Sequence, residues 1–244
     1  MSKVSKYIFP ILAITVLAMA AQAPFESDVF NTPKEAFKIT FIGHGSLLFN
    51  FNEKAIYIDP FGKLADYSQL PKADIILITH EHLDHFDPEA IRMIKTEKTD
   101  IVLTQNCSKK ITGLIIKNGD IQTVQGIKIE AIPAYNIIHK RDNGDFFHPK
   151  GVGNGYVITF NDKRVYIAGD TENIPEMKAL QKIDIAFLPM NLPYTMTPEM
   201  VADAAKSFKP TILYPYHYGE TNTLKIINML KDIKDIDVRI RKMN

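Results

Sequence analysis

Asp74-Ile75-Ile76-Leu77-Ile78 is a nearly continuous apolar run that leads directly into Thr79-His80-Glu81-His82-Leu83-Asp84-His85. Without polar alternation, the run reads as a strand buried on both faces. The segment after it packs three of the chain's seven histidines and an aspartate into six residues. Neither the strand nor the helix period turns all four side chains to one side, so they converge from a loop. Loops at strand ends are where a rigid scaffold gathers polar groups at one point. Imidazole nitrogen and carboxylate oxygen are ligands that Zn²⁺ accepts at about 2.0–2.2 Å. Four of them exceed what one tetrahedral ion with an open position uses. The spacing therefore suggests two adjacent metals, with His80 and His82 on one and Asp84 and His85 on the other.

The chain has 244 residues, 45% hydrophobic and 23% charged, which suits one sizeable globular core. A formal net charge of +1 argues against a polyanion-binding surface and hence against nucleic acid as a partner. The sequence marks no obligate protein partner. The single Cys107 forms no intramolecular disulfide and lacks the paired spacing of a structural zinc site. At the N-terminus, Lys3 and Lys6 precede an apolar run from Tyr7 to Ala20 and the small-residue stretch Ala20-Ala21-Gln22-Ala23. That order is expected of a secretory signal over residues 1–23, giving a periplasmic or extracellular protein; an uncleaved membrane anchor is the alternative. The run is shorter than the roughly 20 residues that span a bilayer, and Pro10 interrupts it. A short segment, 24–37, then precedes the main domain, 38–244.

Strand patterns cover Lys38 to Phe41, Ser46 to Phe51, Ala55 to Asp59, Asp74 to Ile78, Ile101 to Thr104 and Ile127 to Ile132. Gly155 to Phe160 pairs with Arg164 to Ala168 through a hairpin turn at Asn161-Asp162. Ile183 to Leu188, Thr211 to Tyr214 and Asp237 to Ile240 complete the strands. Helices fit Pro88 to about Thr96, with Asp87 as N-cap, then Pro175 to Gln181, Pro198 to Phe208 and Asn222 to Lys231. Two sheets covered by helices would absorb this order.

The histidine segment resembles the His-x-His-x-Asp-His motif of the metallo-β-lactamase fold, and the likeness continues downstream. Ala168-Gly169-Asp170-Thr171 is similar to the family's Gly-Asp-Thr, and Tyr214-Pro215-Tyr216-His217-Tyr218 to its late histidine. Leu188-Pro189-Met190, Tyr194 to Glu199, Ile42 to Ser46 and Ile58 to Phe61 resemble one branch, the lactonase-like metal-dependent hydrolases that include ascorbate-6-phosphate lactonase. The resemblance runs from Lys38 to about Tyr218. It implies an α/β fold, a four-layer αββα sandwich, with a dinuclear site at one sheet edge. It also implies that Asp170 bridges two metals and that His217 is a ligand. For the third histidine of the first metal, the candidates are His148 and His139, with Asn136 standing where some relatives carry the ligand. Of these, His148 lies in a loop leading into the strand from Gly155. His44 is read as a pocket residue near the metals, and Asp59 as a hydrogen-bonding brace for the metal loop.

Such ligands imply a dinuclear zinc centre, with Mn²⁺ or Fe²⁺ as alternatives. Two zinc ions lower the pKa of a bridging water towards neutrality and so provide hydroxide at physiological pH. Asp84 can accept a hydrogen bond from that nucleophile, and His44 or Tyr194 can protonate the leaving group. The expected activity is hydrolysis of an ester, lactone or phosphodiester. A lipid phosphodiesterase similar to the N-acylphosphatidylethanolamine phospholipase D, or a non-catalytic metal-binding module, is the alternative. Lys140, Arg141 and Lys150 lie beside Phe146 and Phe147 in a loop that suits a small-molecule or lipid-like substrate with an anionic and an apolar part. The pocket is expected to include Asn136 and Tyr194.

Overall fold

The computed structural model describes residues 25–244; the signal-like segment 1–23 lies outside them. Among the described residues no helix is long and apolar enough to cross a membrane.

Within residues 25–244, fourteen strands form two seven-stranded sheets, each hydrogen-bonded in chain order. The first holds β1 (Ser27–Phe30), β2 (Phe37–Gly43), β3 (Ser46–Phe51), β4 (Lys54–Ile58), β5 (Ile75–Leu77), β6 (Asp100–Leu103) and β7 (Leu114–Ile115). The second holds β8 (Ile121–Val124), β9 (Ile127–Ala134), β10 (Gly153–Phe160), β11 (Lys163–Ile167), β12 (Ile185–Pro189), β13 (Ile212–Tyr216) and β14 (Asp237–Val238). Each sheet starts as an antiparallel meander of four strands and continues as parallel strands. The halves of the chain therefore repeat one topology.

Side-chain alternation sorts the layers. Phe37, Ile39, Phe49, Ile56 and Ile58 of the first sheet meet Tyr156, Phe160, Phe187 and Tyr214 of the second in a shared inner core. The opposite faces are covered by helices. Tyr57, Ile76 and Ile78 pack under α1 (Pro88–Ile94), while Tyr166, Ala186 and Leu213 pack under α2 (Pro175–Lys178), α3 (Pro198–Phe208) and α4 (Leu224–Leu230). The result is the expected αββα sandwich. Helix starts follow local chemistry. Asp87 accepts from the backbone N–H of Glu89 and Ala90 ahead of α1, and Thr197 accepts from Met200 ahead of α3, each with proline as first helical residue.

Three short strands carried too little pattern to be read from the sequence: β1, β7 and β8. Ser27–Phe30, within the expected separate segment 24–37, is thus a strand of the first sheet, because it pairs with β2 and Asp28 binds Tyr214 and Arg241 near the far end of the chain. β13 continues through Pro215 to Tyr216, two residues beyond the expected end. This is tolerated because β14 pairs only with Ile212 and Leu213, so no neighbour on that side needs the N–H that Pro215 lacks.

Gly155 measures how closely β10 and β11 pack. A Cβ there would stand 2.6 Å from the Ala168 carbonyl oxygen and 2.9 Å from that of Ile167, neither of which can rotate away. Gly155→Ala is expected to destabilise the fold by roughly 1–3 kcal/mol, read as a lower thermal midpoint. In an uncrowded strand the same change would stabilise, by about 0.5–1 kcal/mol. A raised midpoint would refute the close approach.

Candidate metal centre

All the chemistry-bearing loops leave the sheets at one end. β5 delivers Thr79 to His85, β11 delivers Gly169 and Asp170, β13 delivers His217, the β2–β3 turn carries His44, and the long β9–β10 connection carries His148. Several of these residues hold unusual backbone. His44, Asp59 and His217 all lie in the left-handed region, with φ of 50°, 44° and 46°. Such conformations cost about 1–3 kcal/mol each in non-glycine residues and persist only where the surroundings over-determine them. Gly169, at φ 65°, turns the chain sharply before Asp170; a Cβ there would stand 2.8 Å from the Asn154 carbonyl oxygen.

Two clusters result. The side-chain ligand atoms of His80, His82 and His148 lie within 4.8 Å of one another, as do those of His44, Asp84, His85 and His217. Asp170 stands between them. Its Oδ2 is 3.2 Å from His148 Nε2 and 3.9 Å from His80 Nε2, while its Oδ1 is 3.5 Å from His85 Nε2 and 3.7 Å from His217 Nε2. Asp84 Oδ2 lies 3.1 Å from His44 Nε2, 3.6 Å from His217 Nε2 and 3.8 Å from His85 Nε2.

The donor atoms are as telling as their spacing. His85 Nε2, His148 Nε2, Asp170 Oδ1 and both ring nitrogens of His217 are buried with no hydrogen-bond partner. Buried polar atoms are nearly always paired, and each orphan costs about 1–3 kcal/mol. Imidazole lone pairs and carboxylate oxygens converging without partners are what a divalent cation satisfies. The residues fit two such ions: His80, His82, His148 and Asp170 around one, and Asp84, His85, His217 and Asp170 around the other.

Neighbouring groups aim the rings. Asp59, fully buried, accepts from Thr79 N at 2.8 Å, Thr79 Oγ1 at 2.6 Å and His85 Nδ1 at 2.8 Å. With its proton given to Asp59, Thr79 Oγ1 accepts from His80 Nδ1 at 3.0 Å. Asn136 Oδ1 accepts from both the backbone N–H and Nδ1 of His148, each at 2.8 Å. These bonds leave Nε2 of His80, His85 and His148 facing the cluster, the usual way that partners orient ligating histidines.

The electrostatics follow. Burial pushes Asp170 upward, but His217, His85 and His148 more than reverse this and hold its carboxyl well below the usual range. Burial depresses His80, and the neighbouring His85 depresses it further. Burial also works against the His85 cation, yet Asp170 and Asp59 overcome it and raise this ring to about 9, so a metal ion at Nε2 would have to displace a proton there.

The structure brings His44, His80, His82, Asp84, His85, His148, Asp170 and His217 together, with Asp59 behind them. His139 is not among them, because its Nδ1 is held 2.6 Å from Glu172 Oε1. Asn136 neither lines the cavity nor faces the clusters as a ligand. It is 2% exposed, turned onto His148, with Nδ2 donating to the Tyr194 carbonyl. Tyr194 does line the cavity, a cleft of about 430 Å³ shared with His44, Asp84, Arg141 and Phe147. Sequence reading missed Thr79 and Glu172. Glu172 is fully buried and accepts from the backbone N–H of Ile137, Ile138 and His139, fixing the loop that carries Asn136. Its position directly after Gly-Asp-Thr was the one signal available.

Asn136→Leu removes the acceptor that aims His148 and is expected to weaken metal affinity about 10–100-fold, as read by competition with a chelator. His148→Ala should lose more, and His139→Ala little. Equal effects of His148→Ala and His139→Ala would remove His148 from the centre.

Comparison with known proteins agrees with this geometry. Residues 38–217 match the family model described as the β-lactamase superfamily domain. A metal-dependent hydrolase of Thermococcus onnurineus is 34% identical over 201 residues, covering 75% of this chain and 84% of its own length. The crystal structure of a provisionally named metal-dependent hydrolase from Parabacteroides distasonis is 52% identical, with a TM-score of 0.86 over 90% of this chain and 100% of that one. A metallo-β-lactamase fold protein of Bacillus subtilis, 14% identical, shares the fold with a TM-score of 0.68 over 83% of this chain and 90% of its own. With the fold, the paired clusters and these relatives in agreement, the chain belongs to the β-lactamase superfamily as a metal-dependent hydrolase.

Proposed function

We propose that the enzyme is a dinuclear zinc hydrolase that cleaves an ester, lactone or phosphodiester bond in a small anionic substrate. The observation that carries this reading is Asp170, whose two oxygens face two separate imidazole clusters at 3.2–3.9 Å. A donor set of imidazoles and carboxylates suits zinc, and Mn²⁺ or Fe²⁺ can occupy it when supply favours them. When bound, such ions supply an acidified nucleophilic water and a Lewis acid for the substrate's carbonyl or phosphoryl oxygen.

The chain's own residues do the rest. Asp84 reaches the cavity and is positioned to accept a hydrogen bond from the attacking water. His44, with Nε2 3.1 Å from Asp84 Oδ2, stands at the cavity wall, where its protonated form can pass a proton to the leaving oxygen as the scissile bond breaks. Tyr194, 45% exposed at the mouth, is the other group able to do so. Ile137, Ile138 and Leu192 are also exposed, on the loops beside Asn136 and Tyr194. Such exposed apolar groups favour a lipid-like phosphodiester as the second reading. The signal-like order of residues 1–23 supports a substrate met outside the cytoplasm as part of this proposal.

Elemental analysis of the purified protein is expected to find close to two transition-metal ions per chain. Removing them with a chelator should abolish activity, and zinc should restore it. No bound metal after zinc reconstitution would overturn the mechanism. In a panel of lactones, p-nitrophenyl phosphodiesters and β-lactams, the zinc-loaded protein should favour the first two. Dominant turnover of a β-lactam would place its chemistry elsewhere in the superfamily.

A further inference from the structure

We propose that Arg141, backed by Phe147 and Tyr194, forms a subsite for an oxyanion that the substrate carries away from its scissile bond. This rests on the hydrolase reading above and deepens it by assigning one residue to substrate selection.

Arg141 shares the 430 Å³ cavity with the metal-facing residues His82, His148 and Asp170. Its guanidinium carbon lies 5.0 Å from the centroid of the Phe147 ring, and Nη2 donates to the Phe147 carbonyl at 3.4 Å. The Phe147 ring meets Tyr194 edge-on at 5.1 Å, and the Tyr194 carbonyl is held by Asn136. The guanidinium thus ends a stack anchored on the residue that orients His148. Its backbone is equally defined. Arg141 N donates to Asp145 O at 2.7 Å, Gly144 N donates to Arg141 O at 2.9 Å, and Lys140 bridges to Phe146 across the turn.

The other basic groups of this loop do not line the cavity. Lys150 pairs with Glu176 and the Tyr135 hydroxyl, and Lys140 lies over Phe146. Arg141 has no ion-pair partner among the described residues. The cavity floor does not call for this cation either. Two divalent ions would outweigh the charges of Asp84 and Asp170, and a further unpaired guanidinium in the same cavity then suits a ligand with extra negative charge. A planar guanidinium takes a carboxylate or phosphate through two parallel hydrogen bonds, while the aromatic faces beside it take the apolar part that links the oxyanion to the scissile group.

The test uses metal-loaded protein and calorimetric titration with glutarate, adipate and 4-phosphonobutyrate, against butyrate as a single-anion control. At least one two-anion ligand should bind the wild type about tenfold more tightly than butyrate. Arg141→Gln should bring that ligand to the butyrate level, with butyrate affinity, metal content and thermal midpoint unchanged, and Arg141→Lys should keep part of the preference. A wild type that does not prefer any two-anion ligand, or a preference that survives Arg141→Gln, would overturn the subsite and leave Arg141 a solvated surface charge. The hydrolase reading is judged separately, by turnover of mono-p-nitrophenyl glutarate and p-nitrophenyl butyrate. Failure to cleave either would count against ester chemistry and leave the binding result standing.

Discussion

The two oxygens of Asp170 face opposite ways within one buried carboxyl group, and the rest of the centre is organised about that fact. Each oxygen meets a pair of imidazoles contributed by other loops, at distances too long for strong hydrogen bonds and suited to an ion between them. To hold such a carboxylate, buried and without its own donors, the fold must gather positive charge around it. The sharp turn at Gly169, the tight approach of β10 to β11 and the inner core beneath both sheets all serve to fix this one side chain.

The repeated topology explains how the loops meet. Each half of the chain lays down a meander and then parallel strands, and loops at the ends of parallel strands gather ligands. His80, His82, Asp84 and His85 come from the first half, while His148, Asp170 and His217 come from the second. Each cluster draws on both halves, so the centre exists only where the two sheets pack together.

Much of this was legible in the sequence because local chemistry and tertiary role agree. Ile75 to Ile78 had to be a buried strand, and the four polar residues after it could meet only in a loop. Asp87-Pro88 and Thr197-Pro198 announced their helices through capping groups. Asp170 and His217 needed the resemblance, since one carboxylate or one histidine after a strand has no pattern of its own. β1 escaped because it is held by long-range partners such as Arg241 rather than by an apolar run of its own, and β7 and β8 went unread as well. The choice among His139, His148 and Asn136 was set by Glu172, which draws His139 aside and frees Asn136 to face His148. No spacing rule could show that, because Glu172 reaches the loop across more than thirty residues.

The hydrogen bonds that the ligand rings donate to Asp59, Thr79 and Asn136 have a consequence for how the centre takes up its ions. Zinc-finger-like domains fold around their ion, so their metal arrives with folding and leaves with unfolding. Here a two-sheet core defines the fold, and non-ligand side chains already hold the rings in place. Because each cluster takes ligands from both sheets, the ions bind a scaffold whose core does not consist of the ligands themselves. Exchange of the ions is then expected to leave the scaffold that receives them intact.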